Sequence, residues 1–138
     1  MKKTLPKEAV LPVICIFIAL LNPSRVVGVE RTGILCFEMG AQVAYYFIKG
    51  KVIRYSAFHA FNPPTELQKT LYGKYVVDGN RINWRDQKSK VSFTYDVELK
   101  ALAANENWNA ASVCESIKFS DINKYFEPIL EKNRSSVR

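Results

Sequence analysis

Apolar and polar residues alternate with a period of two along much of this chain, in short runs separated by turn-forming residues. The cleanest run is Val91–Leu99, where Val91, Phe93, Tyr95, Val97 and Leu99 alternate with Ser92, Thr94, Asp96 and Glu98. Such alternation predicts an antiparallel strand with one face in a core and the other in water. Ile34–Met39 is a second short apolar run, bounded by Gly33 and Gly40. Val43–Ile48 differs, because Val43, Tyr45 and Phe47 fall on one side and Ala44, Tyr46 and Ile48 on the other. A strand apolar on both faces must be covered twice. Lys49-Gly50 then turns it back into Lys51–Ala57, a hairpin. A second hairpin joins Lys74–Asp78 to Arg81–Arg85, with its turn at Asp78-Gly79 or at Gly79-Asn80. Either register puts Tyr75 and Val77 on the side of Ile82 and Trp84. Ala111–Phe119 predicts the last strand.

Elsewhere the period changes. Asn62-Pro63-Pro64 stops strand pairing, and Thr65 is placed to cap a brief helix through Glu66–Tyr72 that ends at Gly73. Lys100–Ala104 suits a helical turn opening an Ala/Asn loop that carries Trp108. Beyond Ser120 and Asp121, the residues Ile122, Tyr125, Phe126, Ile129 and Leu130 recur at helical spacing. That stripe is fit to cover the second face of Val43–Ile48. Pro128 predicts a kink in it. The fold expectation is mainly β: a small antiparallel meander or barrel of about six strands, with a short connecting helix and a C-terminal helix.

The first residues follow another logic. Lys2, Lys3 and Lys7 precede an uncharged run from Ala9 to Leu21, then Pro23 and small residues as far as Gly28. This is the order of a secretory signal peptide, and the apolar run is short of the about 20 residues a spanning helix needs. The expected organisation is a signal peptide over 1–28, one β domain over 29–132 and a loose polar tail over 133–138, with no stable membrane span after processing. The product is expected to be secreted or periplasmic. Cysteine usage agrees: Cys15 leaves with the leader, and Cys36 and Cys114 remain. An even count in an oxidising compartment predicts one disulfide, Cys36–Cys114, worth roughly 4 kcal/mol in the chain-entropy model. It also draws the first and last strands together, as in a sheet that closes.

Charge narrows the partners. The full chain carries a formal +7; without the leader, 16 basic residues face 12 acidic ones, or +4. The excess is spread, with Lys49, Lys51 and Arg54 in one place and Lys88 and Lys90 in another, so a nucleic-acid footprint is not expected.

Candidate chemistry is sparse. His59, the single histidine, sits between aromatics in Phe58-His59-Ala60-Phe61, where a packing role is expected. It cannot complete a Cys/His zinc site, and no phosphate loop, nucleophile elbow or zinc-protease motif occurs, so neither a catalytic residue, a metal nor another cofactor is expected. Two aromatic sets remain. Tyr75, Trp84, Phe93 and Tyr95 face inward and either fill the barrel or line a small apolar ligand site. Tyr45, Tyr46, Tyr55, Phe58, His59 and Phe61 either belong to the core or form a patch for a protein partner.

The wording of Leu71–Trp84, L-Y-G-K-Y-V-V-D-G-N-R-I-N-W, resembles small exported bacterial lipocalin-like domains, in which a Gly-x-Tyr strand runs into a Gly-Asn turn and an apolar return strand. The Gly-x-Trp signature of true lipocalins is replaced here by Gly33-Ile34-Leu35. The resemblance implies an extracytoplasmic binding module. The functional expectation is therefore an exported, non-catalytic binding or interaction module. A small-barrel inhibitor of an envelope hydrolase is the alternative, and a hydrolase built on dispersed carboxylates such as Asp78, Asp86 and Asp96 comes third.

Overall fold

The computed structural model describes residues 28–137 apart from 39 and 60. The leader predicted for residues 1–28 lies outside the described residues except at Gly28. Eight strands follow in order: β1 (Thr32–Glu38), β2 (Ala41–Ile48), β3 (Lys51–Ser56), β4 (Gln68–Asp78), β5 (Arg81–Arg85), β6 (Ser92–Asp96), β7 (Ala101–Ala104) and β8 (Ser112–Ile117). A helix, α1 (Phe119–Ser136), closes the chain. Each strand pairs antiparallel with the next, and β8 pairs back to β1, so the meander closes into a barrel. Among the described residues no helix is long and apolar enough to cross a membrane.

Alternation decides which residues enter the barrel. Ile34 and Cys36, Val43, Tyr45 and Phe47, Val52, Ile82 and Trp84, Tyr95, Leu102 and Cys114 form one buried cluster inside it, with Val29 as its floor. The outer face of β1–β3 makes a second cluster: Leu35, Ala44, Tyr46, Tyr55 and Ala57 pack under Ile122, Phe126 and Leu130 of α1. The doubly apolar β2 is covered as expected, by barrel contents on one side and the helix on the other. Cys36 and Cys114 sit directly opposite one another in the β1–β8 ladder and are bonded, with Cα atoms 4.1 Å apart.

The hairpin turns are two residues each. Ile48 pairs Lys51 across Lys49-Gly50, both with positive φ (52° and 71°). Asp78 pairs Arg81 across Gly79-Asn80, which selects the second of the two registers left open by the sequence. Gly33 is needed for another reason: a Cβ there would lie 2.8 Å from the Ile117 carbonyl oxygen of β8.

Four elements depart from expectation. Among the described residues the strands number eight, not about six. Glu66–Tyr72 is not a helix: Gln68 onward belongs to the eleven-residue β4, which pairs β3 through Lys74 and β5 from Tyr75. Cross-strand pairing to β3 outweighs the local cap signal at Thr65. The register slips by one residue at Tyr72, a bulge beside Gly73 (φ 107°) that lets so long a strand bend between neighbours. The alternation over Val91–Leu99 overran its strand. Asp96 accepts the Glu98 and Leu99 backbone N–H groups, each at 3.0 Å, and turns the chain, leaving Val97 and Leu99 exposed. Lys100–Ala104, expected to hold a helical turn, contains strand β7 instead. Finally, α1 runs unbroken past Pro128 and beyond Lys132. Its last turns are tied down by Asn133, which donates to the carbonyls of Ala57 (3.3 Å) and Pro64 (2.8 Å), and by Arg134, which donates to Thr65 (3.0 Å).

Candidate functional site

The barrel has two ends. At one lie residues 28–31 and the β2–β3 and β4–β5 turns. Val29 lies at this end and, with Ile34, Phe47, Ile82 and Tyr95, lines a small cavity of about 260 Å³. Thr32 donates to the Val29 carbonyl at 2.6 Å, and the Arg31 N–H donates to Phe47 at 2.6 Å. Glu30 acts as a clasp: its carboxylate accepts the Tyr75 hydroxyl at 2.6 Å, the Gly50 N–H at 3.3 Å and the Lys49 N–H. The Tyr75 bond, with the two backbone donors, holds the Glu30 carboxyl below its ordinary range, while burial and that same bond push Tyr75 up to about 12.

Between the ends, the interior is filled by rings. Trp84 stacks on Phe93 at 5.6 Å and meets Phe47 edge-on at 5.5 Å; Tyr45 lies 5.3 Å from Trp84, and Tyr72 stacks on Phe93 at 5.7 Å. The inward set Tyr75, Trp84, Phe93 and Tyr95 is thus brought together, all packed with the interior cluster. Trp84 Nε1 is buried without a hydrogen-bond partner among the described residues. Tyr45 donates to Glu38 at 2.9 Å; burial first, then the Glu38 charge, drive its phenol well above the usual tyrosine range.

The second aromatic set is divided. Tyr45 is inside the barrel, and Tyr46 and Tyr55 lie beneath α1, so these three form no surface. They are buried because β2 and β3 carry apolar residues on both faces. Phe58, His59 and Phe61 stand on the β3–β4 connection instead, with Phe58 61 % and Phe61 94 % exposed. The loop holds its shape through His59, whose Nδ1 accepts the N–H groups of Phe61 (3.2 Å) and Asn62 (3.0 Å), while Ser56 Oγ accepts that of Phe58 (3.2 Å).

Beside this tip runs a groove of about 560 Å³. Its floor and walls include Gln42, Ala57, Phe58, Pro63, Phe126 and Ile129, with His59 and Lys132 also lining it. Four elements meet here: the β1–β2 turn, the start of β2, the β3–β4 connection and the second half of α1. Sequence reasoning found Phe58, His59 and Phe61 but missed Pro63, Ile129 and Lys132. Ile129 belongs to the helical stripe, whose expected place is over the second apolar face of Val43–Ile48. In the structure it sits at the stripe's edge, half-buried.

The remaining carboxylates do not converge. Asp86 accepts Ser89 Oγ at 2.6 Å in the β5–β6 turn, and that bond lowers its pKa; Asp96 holds Arg81 at 3.4 Å on the barrel's outer wall. Arg81 in turn lies 4.9 Å over the Trp108 ring, in a 3₁₀ turn (Trp108–Ala110) packed against β7. Among the described residues no group of three or more His, Cys, Asp or Glu side chains is placed to hold a metal ion.

The described residues form a disulfide-bonded, closed antiparallel β-barrel with the helix α1 on its outer wall. Comparison with family models, with curated proteins and with solved structures gives no match for this chain.

Proposed function

We propose that this is an exported, non-catalytic protein-binding module whose contact site is the groove between α1 and the Phe58–Phe61 tip. One observation carries the proposal: two phenylalanines stand largely in solvent on a loop braced by His59, beside an open apolar groove, while the barrel interior is occupied by its own rings. Exposed aromatic clusters of this kind usually mark contact with another molecule, and aromatic anchors dominate binding energy at protein interfaces. Export is supported by the charged, apolar, small-residue order of residues 1–28 and by the Cys36–Cys114 bond, since disulfides persist in oxidising compartments. The likeness of Leu71–Trp84 to exported lipocalin-like domains is in keeping with an eight-stranded meander. An inhibitor of an envelope hydrolase is a special case of the same proposal, with the tip entering the target's cleft.

The test is affinity capture from the extracytoplasmic fraction of the source organism, using wild type, Phe58→Ser with Phe61→Ser, and Val113→Ser. Val113 is an equally exposed apolar residue away from the groove. A stoichiometric partner retained by wild type and V113S, but lost from the tip variant, is the expected result. Equal retention by all three rejects the proposal, as does native mass spectrometry showing a small molecule bound in the purified protein.

A further inference from the structure

The helix covers only part of the barrel wall. Over β4, β5 and the Lys51 end of β3 the outward residues face solvent, while Ile53 and Tyr55 of β3 pack toward the helix, and the chemistry of the uncovered part is one-sided. Lys51 and Lys74 face each other directly in the β3–β4 ladder, and Lys69 lies farther along the same wall, opposite Tyr55. Arg85 joins them from β5, since its neighbour Trp84 points inward. All four are exposed, and among the described residues none has an ion-pair partner. Asp78 is the one acid on the outer face of these three strands, at its far end opposite Arg81. Between the cations stand Leu71 and Val76, 59 % and 64 % exposed.

Two like charges placed directly opposite on neighbouring strands destabilise a sheet. Free of any partner, the wall would gain from an acid at either position. We propose that the outer wall of β3–β5 docks the protein on an anionic phospholipid bilayer surface. None of these residues lines the groove beside α1, and the outer wall of a closed barrel offers such side chains to a planar surface. Three of the four cations are lysines, point charges on flexible stems that suit dispersed headgroups better than the forked pairing arginine gives a single carboxylate. Basic residues near an anionic leaflet each add attraction, and apolar side chains among them bury in the interface. This wall is distinct from the groove, so the two proposals stand or fall separately.

The test measures partition of the full chain onto phosphatidylcholine vesicles with and without phosphatidylglycerol. Residues 1–21 carry lysines and an apolar run of their own, so the comparison among variants is decisive. Lys74→Glu is expected to weaken partition onto the anionic vesicles by at least about tenfold. It should also raise the thermal midpoint, because an acid then faces Lys51; loss of binding therefore cannot be a loss of fold. Leu71→Ser with Val76→Ser should weaken partition several-fold, and Lys118→Glu, away from this wall, less than twofold. Equal losses from K74E and K118E would reduce the effect to net charge and overturn the proposal. So would partition indifferent to phosphatidylglycerol, or capture of an acidic polypeptide with no partition onto vesicles.

Discussion

Glu30 and Tyr75 show how a single pair ties the chain's entry to the barrel. Their opposite pKa displacements set two pH limits. Tyr75 keeps its proton more tightly folded than unfolded, so its share of stability is complete below its ordinary value of 10.0 and lost as pH rises toward about 12. Glu30 behaves inversely: its share is present above the ordinary 4.5 and lost as pH falls through the lower folded value. Tyr75→Phe is therefore expected to flatten both limbs of a plot of denaturation midpoint against pH. An unchanged alkaline limb would assign that limb to the other tyrosines whose pKa values burial raises, Tyr45, Tyr72 and Tyr95 among them. Gly33 is the second residue of this kind. Gly33→Ala forces a methyl against the Ile117 backbone carbonyl, which cannot swing aside as a side chain could. A loss of about 1–3 kcal/mol, read by urea denaturation, is expected for such overpacking. The glycine's place before an apolar run was visible in the sequence; the approach of β8 was not, because it depends on closure.

Among the elements, α1 has the largest local role. Phe126 is fully buried between helix and barrel, and Phe126→Ala should cost about 3–5 kcal/mol in chemical denaturation. Pro128 works the other way. Its ring removes the N–H that would bond Lys124, yet the helix continues through it. Pro128→Ala is expected to stabilise the protein by about 1–3 kcal/mol. Since Pro128 also lines the groove, the same variant tests whether a less stable helix is retained there for binding: the expected result is tighter folding with weaker capture of the partner. The elements differ in how well the sequence marks them. The helical stripe and the doubly apolar β2 were plain because their periods are strong. Short β7, three alanines around Leu102, carries almost no periodic signal, and only its neighbours β6 and β8 make it a strand. The first half of β4 carries a helical signal in sequence because a cap and a glycine bracket it, and nothing local reports its pairing with β3. The groove was half legible: its loop tip is a cluster in the sequence, whereas its helical wall appears only once α1 has docked.

For the molecule as a whole, the seam between β8 and its neighbours is the place where the ring closes. The β7–β8 ladder spans two residue pairs and the β8–β1 ladder four, one of them Cys36–Cys114. Cys36→Ala with Cys114→Ala is expected to lower stability by about 2–5 kcal/mol by denaturant titration, with hydrogen exchange accelerated first in β7 and β8. Uniform acceleration through all strands would mean that the barrel has no weak seam.

The position of that bond inside the ladder has a further consequence. Side chains along a strand point alternately to either side, so a closure displaced by one residue sends one sulfur outward while the other stays within, and a displacement of two parts them along the strand. Only a ring joined in its proper alignment brings the thiols face to face. Oxidation therefore acts as a proofreader, locking the correctly assembled ring and leaving every misaligned one free to reopen and try again.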